Sequence, residues 1–500
     1  MSDFTVEIAQ RILTEDSWDS AAKHAEKWVK DHPDSCEALQ FYGLVYAKKP
    51  DIKTALTYFK RALHSHPQEI SCHINISNAY TTLGEIEPAI QHLHQALRLD
   101  PRHAEAYNNL GRLYYKQGLT NEAVSYLEKA LRLNPNYWEA HYNLAHSLVK
   151  QNQMNRAATH YQEVIRLQPS HPTAHYNLGL IYLEEEQYPL AETHLNRACT
   201  LNADNVDPVR LLGQVYIQLG QPDNAMDAFK KALALSPTLA DVHHNLAILY
   251  LGQGNRPEAL NHFQIALSEE PQNETARHMV TALSGNETSD TAPTQYVTQL
   301  FDQYADYYDD HLKKKLKYQA PYFLRTAIGQ CLKDNSTSQR VLDLGCGTGM
   351  CGIFFRDLAL ELIGVDLSPK MLEKAKILGA YDQLFPLNYL EYLSNESLEP
   401  FHIIIAADVF VYTGDLAQTF ALVAKKLSPT GLFAFTIENL ERGTFSLQPT
   451  GRFSHHQTYI QKLADNHQLK MVINESIVLR EQEDNPIAGQ LYVLTPMETH

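Results

Sequence analysis

Long apolar runs are missing: no stretch of the 500 residues approaches the roughly 18 apolar side chains that a membrane-spanning helix needs. The opening Met1-Ser-Asp-Phe-Thr-Val-Glu7 has neither the basic start nor the apolar stretch of a secretory signal. Cysteine is sparse as well. The six, at 36, 72, 199, 331, 346 and 351, show no framework spacing, which excludes a disulfide scaffold and suits free thiols in a reducing compartment. Positive charge is the third scarcity. Forty-two Lys and Arg stand against 58 Asp and Glu, a formal charge of −16 and a poor background for nucleic-acid phosphates. Lys313-Lys314-Lys315 is the obvious basic run, and it reads as a solvated helix face. The expectation is a soluble cytoplasmic protein with neither membrane nor nucleic acid as partner, long enough for two or more domains.

What the sequence does hold is repetition. Proline falls at 33, 67, 101, 135, 169, 237 and 271, always 34 residues or twice 34 apart, with Ala203 in the vacant slot. Alanine falls at 55, 89, 123, 157, 191, 225 and 259, and a second small column runs from Ala62 to Ala266 with Val164 in it. Between these columns sit Phe59, Leu93, Leu127, Tyr161, Leu195, Phe229 and Phe263. Spacings of 3 and 4 place the columns on one face of each of two helices, small residues allow close approach, and proline closes the second helix.

These columns resemble the tetratricopeptide repeat over about residues 1–271. Seven repeats are predicted after a degenerate one around Ala21, Ala25 and Trp28, with a capping helix over 272–284. Stacked units present a groove, here read as a site for a protein or peptide partner. Asn75, Asn109, Asn143, Asn177 and Asn245 recur at one position and could form a ladder of amides along a bound backbone, since each amide both donates and accepts. His73, His141, His175 and His243 form another column. One ligand per repeat leaves neighbours some 8–10 Å apart, too far for a shared zinc, so these are read as packing residues and no metal is expected.

The columns stop near Ala282, and 285–294 reads as a short polar linker with turn formers. The predicted domains are thus 1–284, the linker, and 295–500. The second half alternates apolar runs with helical segments, the signature of a parallel sheet covered on both faces. Strands are predicted over 340–344, 361–365, 383–387, 402–407, 431–437, 470–479 and 488–495. The first runs into Asp343-Leu-Gly345-Cys346-Gly347-Thr-Gly349. Dinucleotide sites prefer Gly-x-Gly-x-x-Gly, whose last position here is Met350. The loop instead resembles motif I of class I S-adenosylmethionine-dependent methyltransferases, and the fold expected is an all-α repeat superhelix followed by a Rossmann-like α/β domain.

That resemblance implies residues that hold S-adenosylmethionine. Asp343, Gly345, Cys346, Gly347 and Gly349 belong to the loop. Asp366, 17 residues after Gly349 at a strand tip, would accept the ribose hydroxyls, with Leu367 beside it and Met371 near the adenine. After the third strand the family often has Asp; this chain has Asn388, followed by Tyr389. Asp408 at the tip of the fourth strand and His455 in a polar cluster after the fifth are the candidates at the acceptor, His455 as a general base or as an exposed loop residue. Tyr296–Tyr318, with Phe301, Tyr304, Tyr307 and Tyr308, resembles a lid over the cofactor. Repeats followed by Phe301-Asp-Gln-Tyr-Ala-Asp306 and this domain resemble a bacterial family of repeat-containing predicted methyltransferases. The function implied is methyl transfer to a small-molecule acceptor, with the repeats as a docking module. Methylation of a protein recruited by the repeats, and a non-enzymatic cofactor-binding scaffold, stay open as alternatives.

Overall fold

The computed structural model describes residues 18–49, 51–285, 289–305, 318–332, 339–482 and 485–497. Lys313–Lys315, Tyr307 and Tyr308 lie outside the described residues, as does the side chain of Tyr304. Two compact units emerge, Met1–Pro237 and Thr238–His500. No helix among the described residues is long and apolar enough to cross a membrane.

The first unit holds helix Trp18–Asp31 and six helix pairs, from Cys36–Lys48 with Ile52–Ser65 to Val206–Gln218 with Pro222–Leu235. The alanine column from Ala55 to Ala225 has no exposed surface. A Cβ on Gly213 would lie 2.3 Å from Phe229 Cε1, so this close crossing of two helices requires glycine. Where Ala203 replaces proline, the preceding helix still ends at Leu201, because the turn itself breaks the ladder.

The histidine column is paired rather than solitary. His73, His141 and His175 each face a second histidine 19 residues on, with Nδ1–Nδ1 distances of 3.0 Å to His92, 2.9 Å to His160 and 3.1 Å to His194. The tautomers follow from the neighbours. His141 Nε2 donates to the Pro135 carbonyl at 3.0 Å, so its Nδ1 is the acceptor and His160 Nδ1 the donor. His175 repeats this with Pro169. Four of the five ladder asparagines are also spent on contacts, mostly with the preceding repeat. Asn75 donates to Gln40, Asn109 to Asn78, Asn143 to Asn108, and Asn177 to Tyr161. One amide hydrogen of each braces the repeats, and the other hydrogen and the carbonyl oxygen are the groups a bound backbone would meet.

The second unit opens with a last helix pair, Ala240–Gly252 and Arg256–Glu269, where His243 and His262 pair at 2.8 Å, and a capping helix, Glu274–Ser284. The sheet follows: β1 (Gln339–Leu344), β2 (Ala359–Asp366), β3 (Gln383–Pro386), β4 (Phe401–Ala406), β5 (Leu427–Asn439), β6 (Phe445–Leu447), β7 (Phe453–His455), β8 (Leu469–Gln482) and β9 (Asn485–Pro496). Strands run in the order β3-β2-β1-β4-β5, parallel throughout, with β9 antiparallel to β5 and β8 beyond it. Leu342, Leu344 and Ile404 point into one apolar layer, and Val341, Ile403 and Ile405 into the other. All seven predicted strands are present; the short hairpin β6–β7, joined to β5 through β7, is additional. Residues 290–292 also depart from the free linker expected. The Asp290 carbonyl accepts from the amides of Gly414 and Asp415 at 2.8 Å, and the Ala292 amide donates to Tyr412 at 2.9 Å.

Two stability predictions follow from the repeats. Gly213→Ala should lower unfolding free energy by about 1–3 kcal/mol through overpacking, read by urea unfolding. Burial, reinforced by the partner histidine, lowers His92 and His160 from 6.5 to about 4. Lys60 beside His92 and Arg156 beside His160 act in the same direction, and Glu128 and Glu163 oppose it. As pH falls the unfolded chain takes up these protons first, so this contribution is complete above pH 6.5 and is lost towards pH 4. Melting of the repeats by circular dichroism should therefore fall steeply over that window, and His92→Phe with His160→Phe should flatten it.

Candidate functional site

Branching of the sheet at β1, between β2 and β4, leaves a crevice at the carboxyl ends of the strands. The loop after β1 turns through left-handed backbone at Gly345 (φ +65°) and Gly347 (φ +53°). A Cβ on Gly345 would strike Val409 at 2.6 Å, whereas the space beside Gly347 is open. The Gly347 amide donates to Asp366 Oδ2 at 2.8 Å, and the Ser368 amide to Oδ1 at 2.9 Å. Each carboxylate oxygen keeps a lone pair for a ligand hydroxyl. Burial raises the Asp366 pKa while these amides pull it back.

The cleft is lined by Gly345, Gly347, Asp366, Leu367, Asn388, Tyr389 and Asp408 among the expected residues. The Asn388 side-chain oxygen caps the next helix by accepting from Leu390 N at 2.9 Å, and Tyr389 turns its hydroxyl to Thr413 and Thr419. Phe301 and Val297, from the helix Thr294–Tyr304, complete one wall.

Five expected residues sit outside the lining. Asp343 is 1% exposed, and its Oδ2 accepts from Tyr381 at 2.6 Å. Burial pushes its carboxyl up to about 7, with Asp366 adding to the effect and Tyr381 opposing it. The same Tyr381 oxygen accepts from the Gly352 amide at 3.0 Å, so Asp343 braces the loop from beneath. Cys346 is buried against Gly364, and Gly349 packs beside Tyr381 and starts the next helix. Met371 is fully buried; only its amide has a polar role, donating to Ser368.

His455 is neither general base nor exposed loop residue here. Its ring is 1% exposed in β7, and Nε2 donates to the carbonyls of Thr413 and Gly414 at 2.9 and 3.0 Å. Burial pushes its pKa down to about 4, and its chemistry is to hold the segment after β4.

Sequence reading missed Thr291 and Ala292, hidden in the supposed linker, and Val409, Tyr412 and Thr413. It also missed Arg480, whose Nη1 lies 3.0 and 2.8 Å from the two oxygens of Asp408 and whose Nη2 bonds Glu438. Arg452 stands 3.7 Å from Glu438, its guanidinium 6.0 Å from the Tyr412 ring centre. The pairing of 408 with 480 spans 72 residues and carries no local signal.

A doubly wound sheet, a Gly-x-Gly-x-Gly turn and a carboxylate at the next strand tip define a nucleotide-type site of the methyltransferase kind. Residues 342–433 match the methyltransferase domain family, and tetratricopeptide-repeat families match 77–118, 104–137, 142–208, 213–254 and 240–273. Residues 14–96 match the anaphase-promoting complex, cyclosome, subunit 3 family. This chain is a tetratricopeptide-repeat protein with a class I methyltransferase domain. It is 38% identical over 85 residues to methyltransferase-like protein 27 of Homo sapiens, covering 17% of this chain and 34% of that one. Against the ubiquinone biosynthesis O-methyltransferase of Rhodopseudomonas palustris (strain HaA2) it is 29% identical over 138 residues, 26% of this chain and 54% of the relative. The chain thus spans about half the length, or less, of these two curated relatives. Among solved structures, MamA protein is similar at 26% identity, covering 34% of this chain and 92% of that one, with a TM-score of 0.32.

Removing Arg480 would leave Asp408 without its cation and Glu438 with Arg452 at 3.7 Å. Arg480→Met should cost about 3–5 kcal/mol of domain stability in chemical denaturation, and adding Asp408→Asn with Glu438→Gln should restore most of it.

Proposed function

We propose that the protein is an S-adenosylmethionine-dependent methyltransferase acting on a small molecule, with the repeats docking a protein or peptide partner. The observation that carries this reading is the open space at Gly347 beside the Asp366 carboxylate, a place for a ribose whose hydroxyls meet the remaining lone pairs. Residues of the cleft fit the cofactor: Gly345 and Gly347 admit its backbone-hugging part, and Leu387, Asn388 and Tyr389 supply a wall for a base. S-adenosylmethionine would supply an electrophilic methyl group on a sulfonium. The chain's contribution is alignment of the acceptor and exclusion of water. Asp408, paired with Arg480, would accept a hydrogen bond from the acceptor's O–H or N–H and so aim its lone pair. His455 takes no part in that step.

A small acceptor is favoured because the cleft's outer wall comes from this chain itself, through Thr291, Ala292, Val297 and Phe301. The names of two relatives agree in kind: the ubiquinone biosynthesis O-methyltransferase, and the aklanonic acid methyltransferase DauC of Streptomyces sp. (strain C5).

Isothermal titration with S-adenosylmethionine tests the cofactor. Asp366→Ala should weaken binding about 10–100-fold, the loss of hydrogen bonds to a charged group; no binding by the wild type overturns the reading. Incubation with methyl-labelled cofactor and lysate tests the acceptor. Label is expected in the small-molecule fraction, and label confined to protein would overturn that half.

A further inference from the structure

The capping helix of the repeats does more than close a solenoid. His278, 4% exposed, donates from Nε2 to the Gly451 carbonyl at 2.9 Å, in the turn of the β6–β7 hairpin. Its ring packs 4.7 Å from Tyr296, on the helix that walls the cleft, and 6.3 Å from Phe453 in β7. Three elements converge on one point: a Cβ on Gly451 would lie 2.6 Å from Tyr296 Oη and 3.0 Å from Met279 Sδ of the cap. Ala282 of the cap shares a single apolar cluster with Ala292, Val297, Tyr412 and Phe453, against which Phe301 and Leu367 pack. Ala292, Val297, Phe301, Leu367 and Tyr412 all line the cleft. A polar tie runs along the same path. Asp302, on the helix of Tyr296 and Phe301, accepts from Ser368 Oγ, and the Ser368 amide donates to Asp366.

We propose that His278 is a positioning residue for the cofactor cleft, and that through it the repeat cap and cofactor binding are thermodynamically coupled. The inference rests on the cofactor reading above and deepens it, because it adds a regulating element to that site. The cap fixes the hairpin turn and the Tyr296 ring; these fix the Thr294–Tyr304 helix; and that helix bears on both the cleft wall and the turn carrying Asp366. Linkage then works in both directions. Cofactor in the cleft stabilises the cap, and a ligand that shifts the cap changes cofactor affinity.

Hydrogen exchange on the full chain, with and without S-adenosylmethionine, tests this without mutation. Exchange over 274–284 and 447–453 should slow on cofactor addition, together with the loop after β1. Titration of His278→Ala should show affinity weakened about 5-fold or more, with His278→Gln, which keeps a donor to the Gly451 carbonyl, recovering most of it. Gly213→Ala controls for general destabilisation and should leave affinity unchanged. If the wild type binds cofactor but exchange over 274–284 does not change, the coupling is overturned and the cofactor reading stands. Equal affinity in wild type and His278→Ala has the same consequence. If the wild type binds none, both fall.

Discussion

The hydrogen bond from the Gly347 amide to Asp366 Oδ2, 2.8 Å long, fixes the loop after β1 to the tip of β2. Backbone at φ +53° aims that amide at the carboxylate, and the same geometry leaves open the volume a side chain would fill. The loop is braced below by Asp343, Tyr381 and the Gly352 amide. A phenol shared between a buried carboxyl and a backbone N–H satisfies three polar groups at once. Burial acts on both carboxylates, yet it produces different chemistry. Asp343 is sealed and its proton affinity rises to near neutrality, while Asp366 receives two amide bonds and faces the cleft. The loop is held by one acid sealed in the core and one turned to the cleft.

The repeats rest on a second constraint, helix crossings at Gly43, Gly111, Gly179 and Gly213 that are too close for a Cβ. At the histidine column two imidazoles face each other through Nδ1, one donating and one accepting, so that buried polar groups satisfy each other. Protonation of the accepting Nδ1 breaks the bond, because both facing nitrogens then carry a hydrogen. Aromatic neighbours follow suit: Tyr80 stacks on His92 at 5.9 Å and Tyr182 lies 5.6 Å from His194.

Sequence made the repeats and the strands legible because their signals are local: a 34-residue period, alternating faces, glycines in a turn. Asp366 was legible for the same reason, as an acid at a strand tip a fixed distance past the loop. What stayed hidden depends on which side of an element a residue faces after folding. Met371 and Tyr389 lie in similar sequence surroundings, one helix start each, yet the first turns into the core and the second lines the cleft. His455 looked like a polar loop residue among Gly451, Arg452 and His456, and it is buried because β6 and β7 pair. Residues 290–292 looked like linker because turn formers surround them, and only their backbone bonds to 412–415 reveal a docked segment. The amide ladder was legible as a column, but the donors it spends on neighbouring repeats were not.

Asp408 combines these lessons at the cleft. It adopts φ +58°, a conformation that an ordinary side chain enters at a cost. Two bonds hold it there: its own amide to Thr436 Oγ1 at 2.9 Å and its carboxylate to Arg480. Relaxing the backbone would pull the carboxylate from a guanidinium only 3% exposed, leaving that charge buried beside Glu438 alone. The strain and the ion pair therefore sustain each other. Because Arg480 comes from β8 and Thr436 from β5, strands on the far side of β4 set the position of a group over the cleft. The distal strands thus position a residue over the cleft, although none of their side chains lines it.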